Sequence, residues 1–230
     1  MIGIIGAMAQ EVERLKAMLE APRTLQRAGM TFFSGRLLQK ETVVVQSGIG
    51  KVNAALCTQI LTDLFAVDCI INTGIAGALQ EHIQIGDIVL STEALQHDVD
   101  ASAFGYPLGQ IPGMKVRAFP CDPKLRQLAL EACRRENPEI GCFEGPIVSG
   151  DQFIAGKEKK RWLRDTFSGY CAEMEGAAIA QGAYLNQSPC LIIRAISDKA
   201  DDCAQVDYPA FEKKAIEHCV NITRGLVQAL

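Results

Sequence analysis

Strong signals are scarce in this sequence. The net charge is only −4 over 230 residues, so neither sign predominates, and nothing electrostatic favours nucleic acid or an anionic membrane as a partner. Residues 1–6 are apolar but far too short for a membrane span or for the core of a secretion signal, and no basic flank precedes them. The cytoplasm is the expected location. There are nine cysteines, an odd number, and none stands in a Cys-x-x-Cys pair. Cys57, Cys69, Cys133, Cys190 and Cys219 fall in apolar patterns, the setting of buried free thiols rather than of metal or redox centres. Repeats, low-complexity tracts and linkers are missing as well. A chain of this length can bury a full core as one α/β domain, and residues 1–230 are expected to form one.

The familiar ligand motifs are incomplete. Residues 2–5 end in the turn Gly6-Ala7-Met8 ahead of a helical pattern over 10–20, but the G-x-G-x-x-G series of a dinucleotide site is not there. Ser47-Gly48-Ile49-Gly50-Lys51 opens a helix through residue 64 without the spacing or the Lys-Ser/Thr ending of a P-loop. His97-Asp98-Val99-Asp100 has the spacing of metal ligands but no further His or Cys partners, so turn residues are the better reading and no metal is expected. The basic run 157–161 is followed by Asp165 and reads as a solvated helix face.

What the sequence does contain is a recurring unit: an apolar strand, a small-residue or carboxylate-bearing end, then a helix. Strands are expected over 24–35 and 42–46, with turns at Gly29 and Lys40-Glu41, and again over 69–72, 86–92 and 145–149. Asp122 is a candidate N-cap for a helix over 122–137, and an amphipathic helix over 207–230 closes the chain. The loop 101–120 carries Phe104 and Tyr106 and is too long to be idle. In open α/β sheets ligands collect beyond the carboxyl ends of strands. The ends at Gly6, Gly74 and Asp198 therefore suggest one shared cleft. The chemistry concentrates in residues 172–201, where Glu173 and Glu175 precede an Ala-rich helix and Arg194 and Asp198 follow the apolar run after Pro189. Glu11, in the first helical turn, also suits an ordinary dipole-facing carboxylate.

Six short motifs stand in order: Gly6-Ala7-Met8-x-x-Glu11, Ser47-Gly48-Ile49-Gly50-Lys51, Asn72-Thr73-Gly74-x-Ala76-Gly77, Ser149-Gly150-Asp151-x-Phe153, Glu173-Met174-Glu175 and Arg194-x-Ile196-Ser197-Asp198. Together they resemble bacterial 5′-methylthioadenosine/S-adenosylhomocysteine nucleosidases across essentially the whole chain. The resemblance implies a nucleoside phosphorylase/hydrolase-like α/β fold, a three-layer αβα sandwich around a mixed twisted sheet, built as a homodimer without cofactor and serving methionine salvage. It implies roles too. Asp198 would be the acid at adenine N7, Glu11 the base for water, and Glu175 the partner of the ribose hydroxyls and of the developing positive charge. Phe153 would stack on the base, the backbone at Phe153 and Ile154 would read its edge, and Met174 would lie against the ribose. Arg194 and Ser197 would orient the water or the acid, and Gly77 would belong to the substrate site. Met8, Ile49 and Tyr208 would line the pocket for the 5′-thio group, with Phe104 of the partner subunit closing it. At Ile75 the family often has a serine. Losing that hydroxyl removes one hydrogen bond, worth about 0.5–1.5 kcal/mol net.

Three other functions share these residues. A phosphorylase on the same scaffold would need cationic or N–H donors where Glu11 repels an anion. A hydrolase of 6-amino-6-deoxyfutalosine would use the same carboxylates with a bulkier 5′ group. A non-catalytic nucleoside-binding protein would not need all three acids.

Overall fold

The computed structural model describes residues 1–202 and 204–230. The apolar start of the chain forms β1 (Ile2–Gly6), wholly buried, and α1 (Ala9–Ala17) follows with Val12 and Leu15 packed inward. A meander of β2 (Glu20–Arg27), β3 (Met30–Leu37) and β4 (Lys40–Gln46) comes next. The expected turn at Gly29 divides the 24–35 stretch into two strands. The second turn falls at Leu38-Gln39, ahead of Lys40-Glu41, and both of its residues take positive φ, which matches the twist of the flanking strands.

α2 (Lys51–Phe65) leads into β5 (Cys69–Ala78), which runs well past the expected 69–72. Gly74 therefore lies inside a strand and not at the end of one. β6 (Ile88–Gln96) and the short β7 (Phe119–Pro120) flank the long loop. Asp122 caps α3 (Pro123–Glu136), its side chain accepting from the Leu125 N–H at 2.8 Å. β8 (Cys142–Ser149), α4 (Lys157–Phe167), β9 (Cys171–Glu173), α5 (Gly176–Leu185), β10 (Cys190–Asp198) and α6 (Ala204–Ala229) complete the chain.

The sheet is mixed. β1 lies parallel between β4 and β5, and β5 runs parallel to β10. β10 pairs antiparallel with β6, β6 parallel with β8, β8 parallel with β9, and β9 antiparallel with β5 again. Five strands thus close on themselves, while β1, β4, β3 and β2 extend from the ring as an open sheet. That closure is a product of tertiary pairing and has no periodic signature in the sequence. Alternate strand residues point to opposite faces. Ile4, Ile71 and Ile193 meet α1, α3 and α6 on one side, and Ile5, Ile70 and Ile192 meet α2 and α5 on the other. A smaller cluster tucks Leu163 and Phe167 of α4 beneath Leu95 and Val148.

The eight described cysteines are all free and seven are buried; the ninth, Cys203, lies outside the described residues. Among the described residues no helix is long and apolar enough to cross a membrane.

Candidate active site

Glu11 stands in the first turn of α1, as expected, but its carboxylate serves more than the helix start. Oε2 accepts from the N–H groups of Ala7 (2.7 Å) and Met8 (2.9 Å), and Oε1 accepts from the Ile75 N–H on β5 (3.3 Å). β5 passes this near only because residue 74 is glycine. A Cβ there would lie 2.6 Å from Glu11 Oε1 and 3.2 Å from Arg194 Nη1. Burial raises the Glu11 pKa above its ordinary value, against the opposing pull of Arg194 and the three N–H groups.

Asp198 ends β10, where the pairing with β5 slips: Ile196 faces Ala76 and Asp198 faces Gly77, leaving Ser197 extra. Such a bulge re-aims side chains. Here the Ser197 hydroxyl donates to Asp198 Oδ2 at 2.8 Å, and the Ala200 N–H donates to Oδ1 at 2.8 Å. A Cβ on Gly77 would come within 2.7 Å of that same Oδ1. Burial raises the Asp198 pKa, outweighing both hydrogen bonds, and the nearby Asp207 and Asp201 charges add to the rise.

Glu175 sits at the entry to α5 and reaches across to the glycine turn that opens α2, accepting the Gly50 N–H at 2.8 Å. Its burial, reinforced by the charge of Glu173, lifts its pKa to about 7 despite Arg194. Glu173 itself is fully engaged. It accepts from the Gly176 N–H (2.8 Å), from Arg194 Nε (3.1 Å) and from the Ser149 hydroxyl, while the Ser149 oxygen accepts the Ala177 N–H at 2.7 Å.

These groups surround one cavity of about 240 Å³ lined by Met8, Glu11, Ile49, Gly77, Phe153, Ile154, Met174, Glu175, Ser197, Asp198 and Tyr208. One residue expected in the site, Arg194, is elsewhere, and Phe104 is expected to act on the partner subunit's cavity. Arg194 does not line the cavity: it is buried mid-strand in β10, its guanidinium given to Glu173, to Asn72 Oδ1 and to the Ile193 carbonyl. Its guanidinium thus meets the carboxylates from behind the cavity wall. Burial disfavours its charge, but Glu173, Glu175 and Glu11 together more than restore it and raise its pKa. Phe104 is 84% exposed, on a short turn of the long loop, and is not part of this chain's cavity.

Sequence reasoning missed the support behind the cavity. Asn72 holds Arg194 while its own Nδ2 donates to the Ile5 carbonyl at 2.9 Å, and Ser149 holds Glu173. Both open motifs already noted, yet a polar residue that follows an apolar run does not announce a buried partner. Gln152 and Ala172 also line the wall. Of the three residues with metal-like spacing, Asp98 is paired with Lys51 Nζ at 2.6 Å, Asp100 accepts from the Ser102 hydroxyl at 2.6 Å and His97 is buried.

The family model described as the Phosphorylase superfamily matches residues 1–230. A 5′-methylthioadenosine/S-adenosylhomocysteine nucleosidase of Chromohalobacter salexigens is 45% identical over 230 residues, covering 100% of this chain and 97% of that protein. The chain belongs to this nucleosidase family. A crystal structure of the Neisseria meningitidis nucleosidase in complex with methylthio-immucillin-A superposes with a TM-score of 0.95 at 39% identity, covering 100% of this chain and 99% of that one. The futalosine hydrolase of Helicobacter pylori is also similar, with a TM-score of 0.94 at 35% identity over 100% of this chain and 97% of that one. Ile75 also lines the cavity, and its backbone N–H donates to Glu11.

Proposed function

We propose that this chain hydrolyses the N-glycosidic bond of 5′-methylthioadenosine and S-adenosylhomocysteine, releasing adenine and the thioribose product. The observation that carries this reading is the convergence of Glu11, Glu175 and Asp198 on one cavity whose described lining contains no Lys, Arg or His. Cleavage of such a bond passes through an oxocarbenium-like sugar cation, and carboxylates at a cavity surface that carries no cation favour that charge. Asp198, whose pKa burial raises, donates its proton to N7 as the C1′–N9 electrons move into the purine. Glu11 removes a proton from the water whose oxygen bonds to C1′. Glu175 accepts from the ribose hydroxyls, and the growing positive charge on the sugar draws it fully into its ionised form. The Phe153 ring lies nearly perpendicular to that of Tyr208, centroids 5.9 Å apart, and is half exposed, which leaves it open to stack on the base.

A phosphate dianion would find no cation at this surface, which favours water over phosphate as the nucleophile. Adenine release is therefore expected to run at the same rate with and without inorganic phosphate, with free thioribose as the product. Strict phosphate dependence, read by chromatography of the products, overturns the reading. Turnover of 6-amino-6-deoxyfutalosine beside the two thio substrates tests the related activity on the same scaffold.

The proposal extends to assembly and place: residues 1–230 act as one nucleosidase domain, in the cytoplasm, as a homodimer in methionine salvage. Support for the dimer comes from apolar side chains left open, Phe104 at 84% and Val52 and Leu56 of α2 at 70% and 47% exposure. Phe104 of the partner subunit would then close the 5′ side of the cavity. Sedimentation at twice the 24.9 kDa chain mass is the expected result; a monomer at working concentration overturns it.

A further inference from the structure

The cavity has a graded wall. Glu11, Ser197 and Asp198 at its floor are almost wholly buried, whereas Ile49 and Phe153 are 55% and 50% exposed. At this open side Tyr208 projects from α6, its hydroxyl 3.3 Å from Met8 Sδ and 3.3 Å from Glu212 Oε1 one helical turn on. A phenol has one proton to give. The carboxylate is the stronger acceptor and takes it. The lone pairs of the phenol oxygen then face a thioether, which has no proton to offer. Glu212 is also uncompensated. Glu217 on the same helix pairs with Arg14, but no cationic partner of Glu212 occurs among the described residues. Burial, then the charges of Glu212, Glu11 and Asp198, raise the Tyr208 pKa and keep the hydroxyl protonated. The open side of the cavity is thus a hydrogen-bond acceptor in a negative field, set into an otherwise apolar rim.

We propose that Tyr208 and Glu212 form a subsite for a cationic amine carried on the 5′ substituent, so that this site favours a 5′-thio tail bearing an ammonium over one ending in a carboxylate. The inference rests on the nucleosidase reading, which places the 5′ substituent beside Met8 and Tyr208. An ammonium supplies the donor the phenol oxygen lacks and the counter-charge Glu212 lacks. A tail ending only in a carboxylate meets repulsion from the same pair. A methylthio group engages neither and rests on the apolar rim. Of the amino-acid tail of S-adenosylhomocysteine, the ammonium rather than the carboxylate is the part held.

The test compares two 5′-thio derivatives of 9-deazaadenosine, whose carbon–carbon glycosidic bond cannot be hydrolysed, one with a 2-aminoethyl tail and one with a 2-carboxyethyl tail. Calorimetric Kd values are expected to favour the amine more than threefold in the native protein. The preference should fall below threefold in Glu212→Gln, and in Tyr208→Phe as a second variant should the first fold poorly. A native preference below threefold, or one that survives in these variants, overturns the proposal. Failure of the nucleosidase reading is a separate result. Methylthioadenosine would then go uncleaved by the native protein, while the tail preference is still read from binding alone.

Discussion

Asp198→Asn is expected to lower kcat for methylthioadenosine by a factor of about 10² to 10⁴, the usual worth of a positioned general acid, while leaving nucleoside affinity within a few-fold of native. Adenine is a poor leaving group as an anion, and protonation at N7 is what makes it a good one. Asparagine preserves the shape and keeps an oxygen for the Ala200 N–H, which Asp198 Oδ1 accepts at 2.8 Å. Its amide can donate a hydrogen bond to N7 but cannot give up a proton. The pH profile carries a second signature. Burial raises the Asp198 pKa, so the group is protonated, and active, below that raised value, and activity falls as pH climbs through it. In Asp198→Asn this alkaline limb should vanish. Glu11→Gln should cost a comparable factor from the opposite limb, because Glu11 works ionised and its raised pKa makes activity fail as pH drops through it. Initial rates across pH for the three proteins check both statements. Loss of less than tenfold in either variant would sink the role given to that residue.

Arg194→Met is expected to destabilise the fold by about 3–5 kcal/mol, the cost of removing one member of a buried ion pair. At this chain length that lowers Tm by about 6–20 °C. Arg194 and Glu173 are both almost wholly buried, with side-chain exposures of 2% and 3%. Glu11 and Glu175 also feel its charge. Without the guanidinium, Glu173 keeps its N–H donors but loses its counter-charge, in a site with two further acids. Removing the charge on both sides should undo much of the damage, since the penalty lies in the uncompensated carboxylate. The double variant Arg194→Met/Glu173→Gln should therefore melt well above Arg194→Met alone. Calorimetry of the two decides it: a double variant no more stable than the single one refutes the argument. Arg194→Lys would not restore the native state, because one ammonium cannot make the forked contacts to Glu173, Asn72 and the Ile193 carbonyl.

Some of this site is legible one segment at a time. Glu11 after a glycine turn, Glu175 before an Ala-rich helix and Asp198 after an apolar run are each visible, because local rules place carboxylates at helix starts and strand ends. The motif Asn72-Thr73-Gly74-x-Ala76-Gly77 is visible too, but its small residues suggest a loop. In the structure they are a strand, buried between β1, β9 and β10. Glycine lowers strand propensity, yet here two glycines make room for Glu11 and Asp198 on the neighbouring elements. Propensity reads a residue for its own backbone, whereas Gly74 and Gly77 serve someone else's side chain.

Arg194 shows the same limit from the other side. The family likeness gives it a role beside the water or the acid, while no local pattern announces that its guanidinium is buried against Glu173, 21 residues away.

The chain's order of residues, taken alone, determined the α/β class, the alternation of strand and helix, the family likeness and the identity of three acids suited to glycosidic chemistry. The first two follow from short-range periodicity, caps and turns; the last two rest on six short motifs and the family they resemble. Only the folded molecule decided that five strands close into a ring, that a bulge at Ser197 turns Asp198 toward the cavity, and that one guanidinium stands behind three carboxylates. Each of these depends on contacts between segments far apart along the chain, and on burial, which raises the pKa of all three acids.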